Sequence, residues 1–168
     1  RSKFLIPKIT NKSALFLDRD GVINYDNGYT FKIKDFKFKP HIINFLKKIT
    51  KKKNYIFIVT NQAGIAHGFF TEKNFINLHR NLKKTLFKKG ILINDVKYCP
   101  FHKNAAIKKF KKNSKYRKPG NLMIKNLRNN WNIDIKKSIM IGDKLSDKKC
   151  AAKSNIKFYY PDDKIINS

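Results

Sequence analysis

Ala14-Leu15-Phe16-Leu17-Asp18-Arg19-Asp20-Gly21-Val22-Ile23-Asn24 is the stretch whose reading decides the fold. Four apolar residues run straight into a carboxylate. A short apolar run closed by polar residues and glycine marks a strand buried on both faces, as in a parallel sheet. Two later stretches repeat the design: Tyr55-Ile56-Phe57-Ile58-Val59 ends at Thr60, and Ser138-Ile139-Met140-Ile141 ends at Gly142-Asp143. Val96-Lys97-Tyr98 and Ile156-Lys157-Phe158-Tyr159-Tyr160 are weaker strand signals.

Helical spacing fills the intervals. Ile42, Phe45, Leu46 and Ile49 share one face. Phe75, Leu78, Leu82 and Leu86 share another, with Thr71 placed to cap its start and Gly90 to stop it. Ile124, Leu127 and Trp131 mark a third helix, and Ser146 is placed to cap a short fourth one toward Ser154. These stripes are core faces and carry no chemistry. Strands alternating with helices predict an α/β fold with a doubly wound, Rossmann-like parallel sheet. Ligands of such sheets bind beyond the carboxyl ends of the strands, so Asp18, Thr60 and Asp143 are expected to converge. The basic stretch from Pro100 to Lys118 is short of apolar residues and reads as a loop.

The 168 residues suit one domain with a hydrophobic core, here 14–168, preceded by an extension or linker over 1–13. Basic residues number 39 against 11 acidic, a net charge of +28. That excess attracts phosphorylated substrates. It also suits a polyanion such as nucleic acid or acidic lipid, but the lysines are scattered in twos and threes with no arginine-rich or aromatic-interleaved block, so a solvated lysine surface is the preferred reading. No apolar run is long enough to span a bilayer, and residues 1–13 lack the features of a secretory signal. Two cysteines, Cys99 and Cys150, are too few for a disulfide framework and suit the cytoplasm.

Asp18 and Asp20 lie two apart just past a strand, so in an extended chain both face the same side. Like charges so close either share a cation or push one pKa up, which suits a nucleophile beside a proton carrier. Phosphoryl transfer also needs a metal and donors around the phosphoryl oxygens. Asp143 offers a metal carboxylate, Thr60 a hydroxyl, and Arg117 and Lys118 positive charge; oxygen ligands favour Mg²⁺. Taken singly, each has a plainer reading as a capped turn or a surface lysine.

Together, Asp18-to-Asn24 (DRDGVIN), Thr60-to-Ile65 (TNQAGI), Arg117-to-Gly120 (RKPG) and Ile141-to-Asp147 (IGDKLSD) resemble the four motifs of haloacid-dehalogenase (HAD)-like phosphatases. They are most similar to the small, essentially capless branch of heptose bisphosphate 7-phosphatases and histidinol-phosphatases. The resemblance covers about residues 13 to 160. It implies that Asp18 attacks phosphorus, that Asp20 serves as acid and then base, and that Thr60 and Lys118 stabilise the transferring group. It implies Mg²⁺ held by the Asp18 and Asp143 side chains and the Asp20 backbone carbonyl. Substrate contacts are expected from Asp26, Asn27, Gly28, Tyr29, Asn61, Gln62, Ala63, Arg117 and Lys144. The implied substrate is a small phosphorylated sugar, the 7-phosphate of D-glycero-D-manno-heptose 1,7-bisphosphate. Histidinol phosphate and a polynucleotide 3′-phosphate are the alternatives. A monomer is expected, with no membrane and no nucleic-acid partner, although the charge leaves the last open.

The motif pattern breaks at one place. Related phosphatases carry a zinc loop, Cys-Pro-His-His followed by Cys-x-Cys before Arg-Lys-Pro. Here the chain reads Cys99-Pro100-Phe101-His102, and Ser114-Lys115-Tyr116 stands at the later pair. One sulfur and one histidine do not make a four-coordinate site, so no structural zinc is expected. Packing through Phe101, Phe110 and Tyr116 is expected to hold the loop instead. His41, His67 and His79 have no metal spacing, and Cys150 reads as a core thiol.

Overall fold

The computed structural model describes residues 11–168. Most of the 1–13 extension therefore lies outside the described residues. Lys12 and Ser13 are already stitched to the domain: Lys12 N donates to Asn132 O (3.2 Å), and Ser13 O accepts from Tyr55 N (3.0 Å).

Five parallel strands form the sheet: β1 (Ala14–Leu17), β2 (Tyr55–Asn61), β3 (Asp95–Cys99), β4 (Ile139–Ile141) and β5 (Lys157–Tyr159), in the order β3-β2-β1-β4-β5. β1 is central, with Leu15 paired to Ile56 on one side and Ile139 on the other. Every residue of β1 is buried, which is why its sequence is apolar without alternation.

Alternating residues feed two cores. Leu15, Leu17, Ile56, Ile58 and Ile141 pack beneath α1 (Pro40–Lys51), α3 (Glu72–Lys88) and α6 (Lys164–Asn167). Phe16, Phe57, Val59 and Met140 pack against α4 (Leu122–Asn130) and α5 (Leu145–Lys153) on the other face. Helices cover both faces, as the doubly wound reading requires. Thr71 does cap α3: its Oγ accepts from Asn74 N (3.1 Å), and its own N–H donates to Asn74 Oδ1 (2.9 Å). Trp131 falls just beyond α4 but packs edge-on against Tyr55.

One local expectation is corrected. The fourth helix starts at Leu145, so Lys144, not Ser146, is its N-cap, and the carboxylate that accepts at the helix start is Asp147. The Gln62-to-His67 stretch, to which no element was assigned from sequence, holds a one-turn helix, α2 (Ala63–Ala66), too short to leave a periodic signal.

The 100–118 loop is pinned by a few backbone bonds and by aromatic packing. His102 N donates to Phe110 O (3.1 Å), Lys112 N to His102 O (3.2 Å) and Ile107 N to Ala66 O (3.0 Å). Phe110 is buried in a third cluster with Ile65, Phe70 and Phe75, and Phe101 packs against it. Tyr116 packs on the α4 side. Cys99 is buried, and His102 Nδ1 accepts from Asn104 N (3.0 Å).

Candidate active site

The strand order reverses between β1 and β4, and that crevice receives Asp18 from one strand and Gly142-Asp143 from the other. The ladder runs up to the site, since Asp18 N donates to Ile141 O (3.0 Å). A cavity of about 450 Å³ opens there. Among its lining residues are Asp18, Asp20, Asp26, Gly28, Tyr29, Asn61, Gln62, Ala63, Arg117, Lys118 and Lys144. Buried Thr60 and half-buried Asp143 are not among the lining residues, and neither is Asn27, which is exposed. Gly64, Ser146 and Asp147 line the cavity without having been assigned from sequence.

Lys118 is the hub. Its Nζ donates to Asp18 Oδ1 (3.0 Å) and Val59 O (2.8 Å) and pairs with Asp147 Oδ1 (2.7 Å), and the ammonium itself is buried. Burial opposes the charge on Lys118, but the Asp18 and Asp147 carboxylates outweigh it and hold its pKa above the ordinary value. Asn61 fixes the backbone there: its Nδ2 donates to Lys118 O (3.2 Å) and its Oδ1 accepts from Lys118 N (3.0 Å). Asn61 is thus a clamp on Lys118 as well as a cavity residue.

Three carboxylates, Asp18, Asp143 and Asp147, present oxygens within 4.8 Å of one another. The Asp18 carboxyl is raised to about 7, chiefly by burial, with Lys118 opposing the rise and Asp147 and Asp143 adding to it. Burial likewise raises Asp143. A shared cation relieves this repulsion and favours the ionised nucleophile. Asp143 Oδ1 is buried without a hydrogen-bond partner, as a metal ligand would be. Gly21 has φ +84°, and a Cβ there would collide with the Asp143 carboxylate, so glycine is needed for the approach. The donor set is all oxygen and anionic, which fits a hard divalent cation. On the cationic side of the cavity, Arg117 Nη1 is also buried without a partner. The site therefore offers an unmatched anion to a cation and an unmatched cation to an anion.

Asp20 is turned differently from Asp18. Both its oxygens accept from Arg19, Oδ1 from Nε (3.1 Å) and Oδ2 from Nη2 (2.9 Å). Asn24 Nδ2 adds a bond to Oδ1 (3.0 Å) and Gln62 Nε2 one to Oδ2 (3.2 Å). Gln62 also donates to Thr60 Oγ1 (2.9 Å), which is how Thr60 joins the network. Beyond it, Asp26 Oδ1 accepts from Gly28 N (3.0 Å) and shapes the turn that carries Tyr29, whose ring meets Phe69 at 4.5 Å.

Sequence reasoning missed Asp147, Arg19 and His79. Asp147 left a signal: a carboxylate three residues after Lys144, at the start of a helix, satisfies Lys144 N (3.1 Å) and has a second oxygen to spare. Gly142 permits this, because any Cβ there would strike the Asp147 side chain. Arg19 sits between two carboxylates that face the cavity, so alternation sends it into the core.

The family model described as Polynucleotide kinase 3 phosphatase matches residues 14–164. A D-glycero-beta-D-manno-heptose-1,7-bisphosphate 7-phosphatase from Yersinia pestis is 36% identical over 143 residues, 85% of this chain and 76% of that protein. The chain belongs to the HAD-like phosphatases.

Another relative of this HAD-like phosphatase is a D-glycero-alpha-D-manno-heptose-1,7-bisphosphate 7-phosphatase from Photorhabdus laumondii. It is 43% identical over 132 residues, 79% of this chain and 72% of that protein. Among solved structures, a Mesorhizobium loti protein described as a HAD-like phosphatase superposes with a TM-score of 0.82 at 27% identity, covering 87% of this chain and 70% of that one. A D,D-heptose 1,7-bisphosphate phosphatase from B. bronchiseptica, complexed with magnesium and phosphate, gives 0.77 at 23% identity, covering 88% and 79%. The last likeness concerns the HAD-like fold. Among the described residues, no helix is long and apolar enough to cross a membrane.

Proposed function

We propose that the chain is a magnesium-dependent phosphatase that removes the 7-phosphate of D-glycero-D-manno-heptose 1,7-bisphosphate through an aspartyl phosphate on Asp18. The observation that carries the substrate is the 36–43% identity to relatives named for that reaction, extending over most of the chain. The geometry carries the chemistry. Asp18 has Oδ1 held by Lys118, and its carboxylate attacks phosphorus, forming a new P–O bond as the bond to the sugar oxygen breaks. The departing sugar oxygen takes its proton from Asp20. In the second step the Asp20 carboxylate accepts a proton from water as that water attacks phosphorus, releasing phosphate and returning Asp18.

Lys118 and Arg117 supply positive charge to the phosphoryl oxygens. Asp18, Asp143 and the Asp20 backbone carbonyl are the assigned ligands of Mg²⁺, which, when bound, compensates the charge on the transferring group. Asp147 anchors Lys118. Tyr29, Gly28 and Asp26 at the cavity rim, with Gln62, Ala63 and Lys144, are the assigned sugar contacts. The surroundings assigned to the enzyme are the cytoplasm, where Cys99 and Cys150 stay as buried thiols.

A second reading, action on polynucleotide 3′-phosphates, is favoured by the description of the matching family model and by the +28 charge. Histidinol phosphate has no such observation behind it. Regiochemistry tests the primary reading. With Mg²⁺ present, ³¹P spectra of heptose 1,7-bisphosphate are expected to lose the 7-phosphate resonance while the anomeric phosphate persists. Loss of the anomeric phosphate first would contradict it.

A further inference from the structure

Arg19 is fully buried, yet it reaches the reacting centre through Asp20. Its Nε and Nη2 form a two-pronged fork on the Asp20 carboxylate. Nη2 also donates to Thr30 O (2.9 Å) and Gln62 Oε1 (3.3 Å). The remaining nitrogen, Nη1, lies 3.2 Å from His79 Nε2. A guanidinium only donates, so Nε2 must be the lone-pair nitrogen, and the ring is the neutral tautomer with its proton on Nδ1. Burial, with the charges of Arg19 and Lys83, pushes His79 down to about 3, which keeps that acceptor available at any working pH. The ring cannot turn away, because it stacks on Phe75 at 4.1 Å and belongs to the buried face of α3. Burying a histidine with Nδ1 unsatisfied is costly, and the cost is accepted at the one place where Arg19 needs a partner.

We infer that His79 is a positioning residue for the proton-transfer steps: it holds the Arg19 fork in plane, and the fork aims the Asp20 carboxyl at the leaving oxygen. This rests on the assignment of Asp20 as acid and base made above. A fork that can tilt leaves Asp20 present but misdirected, and a misplacement of about 1 Å costs on the order of 100-fold. This series of contacts thus couples α3, whose Phe75 ring also lies 5.9 Å from the Arg19 guanidinium, to the proton carrier.

The test separates proton delivery from general damage. Nitrophenolate leaves without a proton, whereas a sugar alkoxide needs one. His79→Phe keeps a flat ring but removes the acceptor; His79→Gln restores an acceptor near the Nε2 position. First-turnover rates are measured with Mg²⁺ for 4-nitrophenyl phosphate and for heptose 1,7-bisphosphate, each normalised to the amount of aspartyl phosphate formed so that unfolded protein does not count. For His79→Phe, heptose release is expected to slow about 10- to 100-fold. Nitrophenolate release stays within about threefold of wild type, with KM unchanged for both. His79→Gln recovers most of the heptose rate. Arg19→Lys, which keeps the charge without the fork, provides a second arm with the same selective loss. Equal slowing of both substrates, no slowing of either, or no recovery with His79→Gln would overturn the inference. A wild-type chain inactive on both substrates would remove the phosphatase reading itself, and the inference with it.

Discussion

Asp18→Asn is expected to lower kcat for phosphate release on the order of 10⁵-fold, with the fold intact. The amide has the carboxylate's shape, so it fills the same buried position between β1 and Lys118. It cannot attack phosphorus, and the neighbouring carboxylates have other roles, Asp143 as an assigned metal ligand. Asp147 is committed to Lys118 and Lys144 N, and Asp20 to Arg19. The melting temperature should not fall, because the substitution removes one of three converging negative charges. Activity assays beside thermal unfolding check both halves. Residual activity above about 1% of wild type would assign the nucleophile elsewhere.

Lys118→Met has a different signature, because it damages structure and chemistry together. Removing the ammonium leaves Asp18, Asp143 and Asp147 facing one another and leaves Val59 O without its donor. Breaking a buried charge pair from one side typically costs about 3–5 kcal/mol of stability. Loss of a fixed positive charge at the phosphoryl group adds a fall in kcat on the order of 10²- to 10³-fold. Mg²⁺ should rescue the stability more than it rescues the rate, since a cation binding the native carboxylates stabilises by mass action but does not replace the ammonium. Melting curves with and without Mg²⁺ check this. A variant as stable as wild type in chelator would contradict the role of Lys118 as the hub of the site.

The sheet was legible because buried parallel strands leave unbroken apolar runs, and β1, β2 and β4 are such runs. Asp18, Asp20 and Lys118 were legible because motif order places them at strand ends and in the loop that packs beside them. What escaped was contact between residues distant in sequence whose types are ordinary in their local setting. His79 looks like one polar interruption on an apolar helix face, and only the fold brings it to Arg19, 60 residues away. Asp147 looks like a first-turn acid of α5, and only the fold brings Lys118 to its second oxygen. Ser146 was a reasonable cap by residue type, but Asp147 competes for the same helix start and wins with a full charge. The 100–118 loop shows its incomplete set of zinc ligands in the sequence, whereas its tie from Ile107 to Ala66 O uses backbone atoms that no sequence pattern announces.

A phosphate-release panel with Mg²⁺ tests the central claim most directly, comparing heptose 1,7-bisphosphate, histidinol phosphate and a 3′-phosphorylated oligonucleotide at equal concentration. A site built for one sugar phosphate should prefer the heptose by at least about 100-fold in kcat/KM. Equal slow rates on all three, or the fastest release from the oligonucleotide, would contradict it.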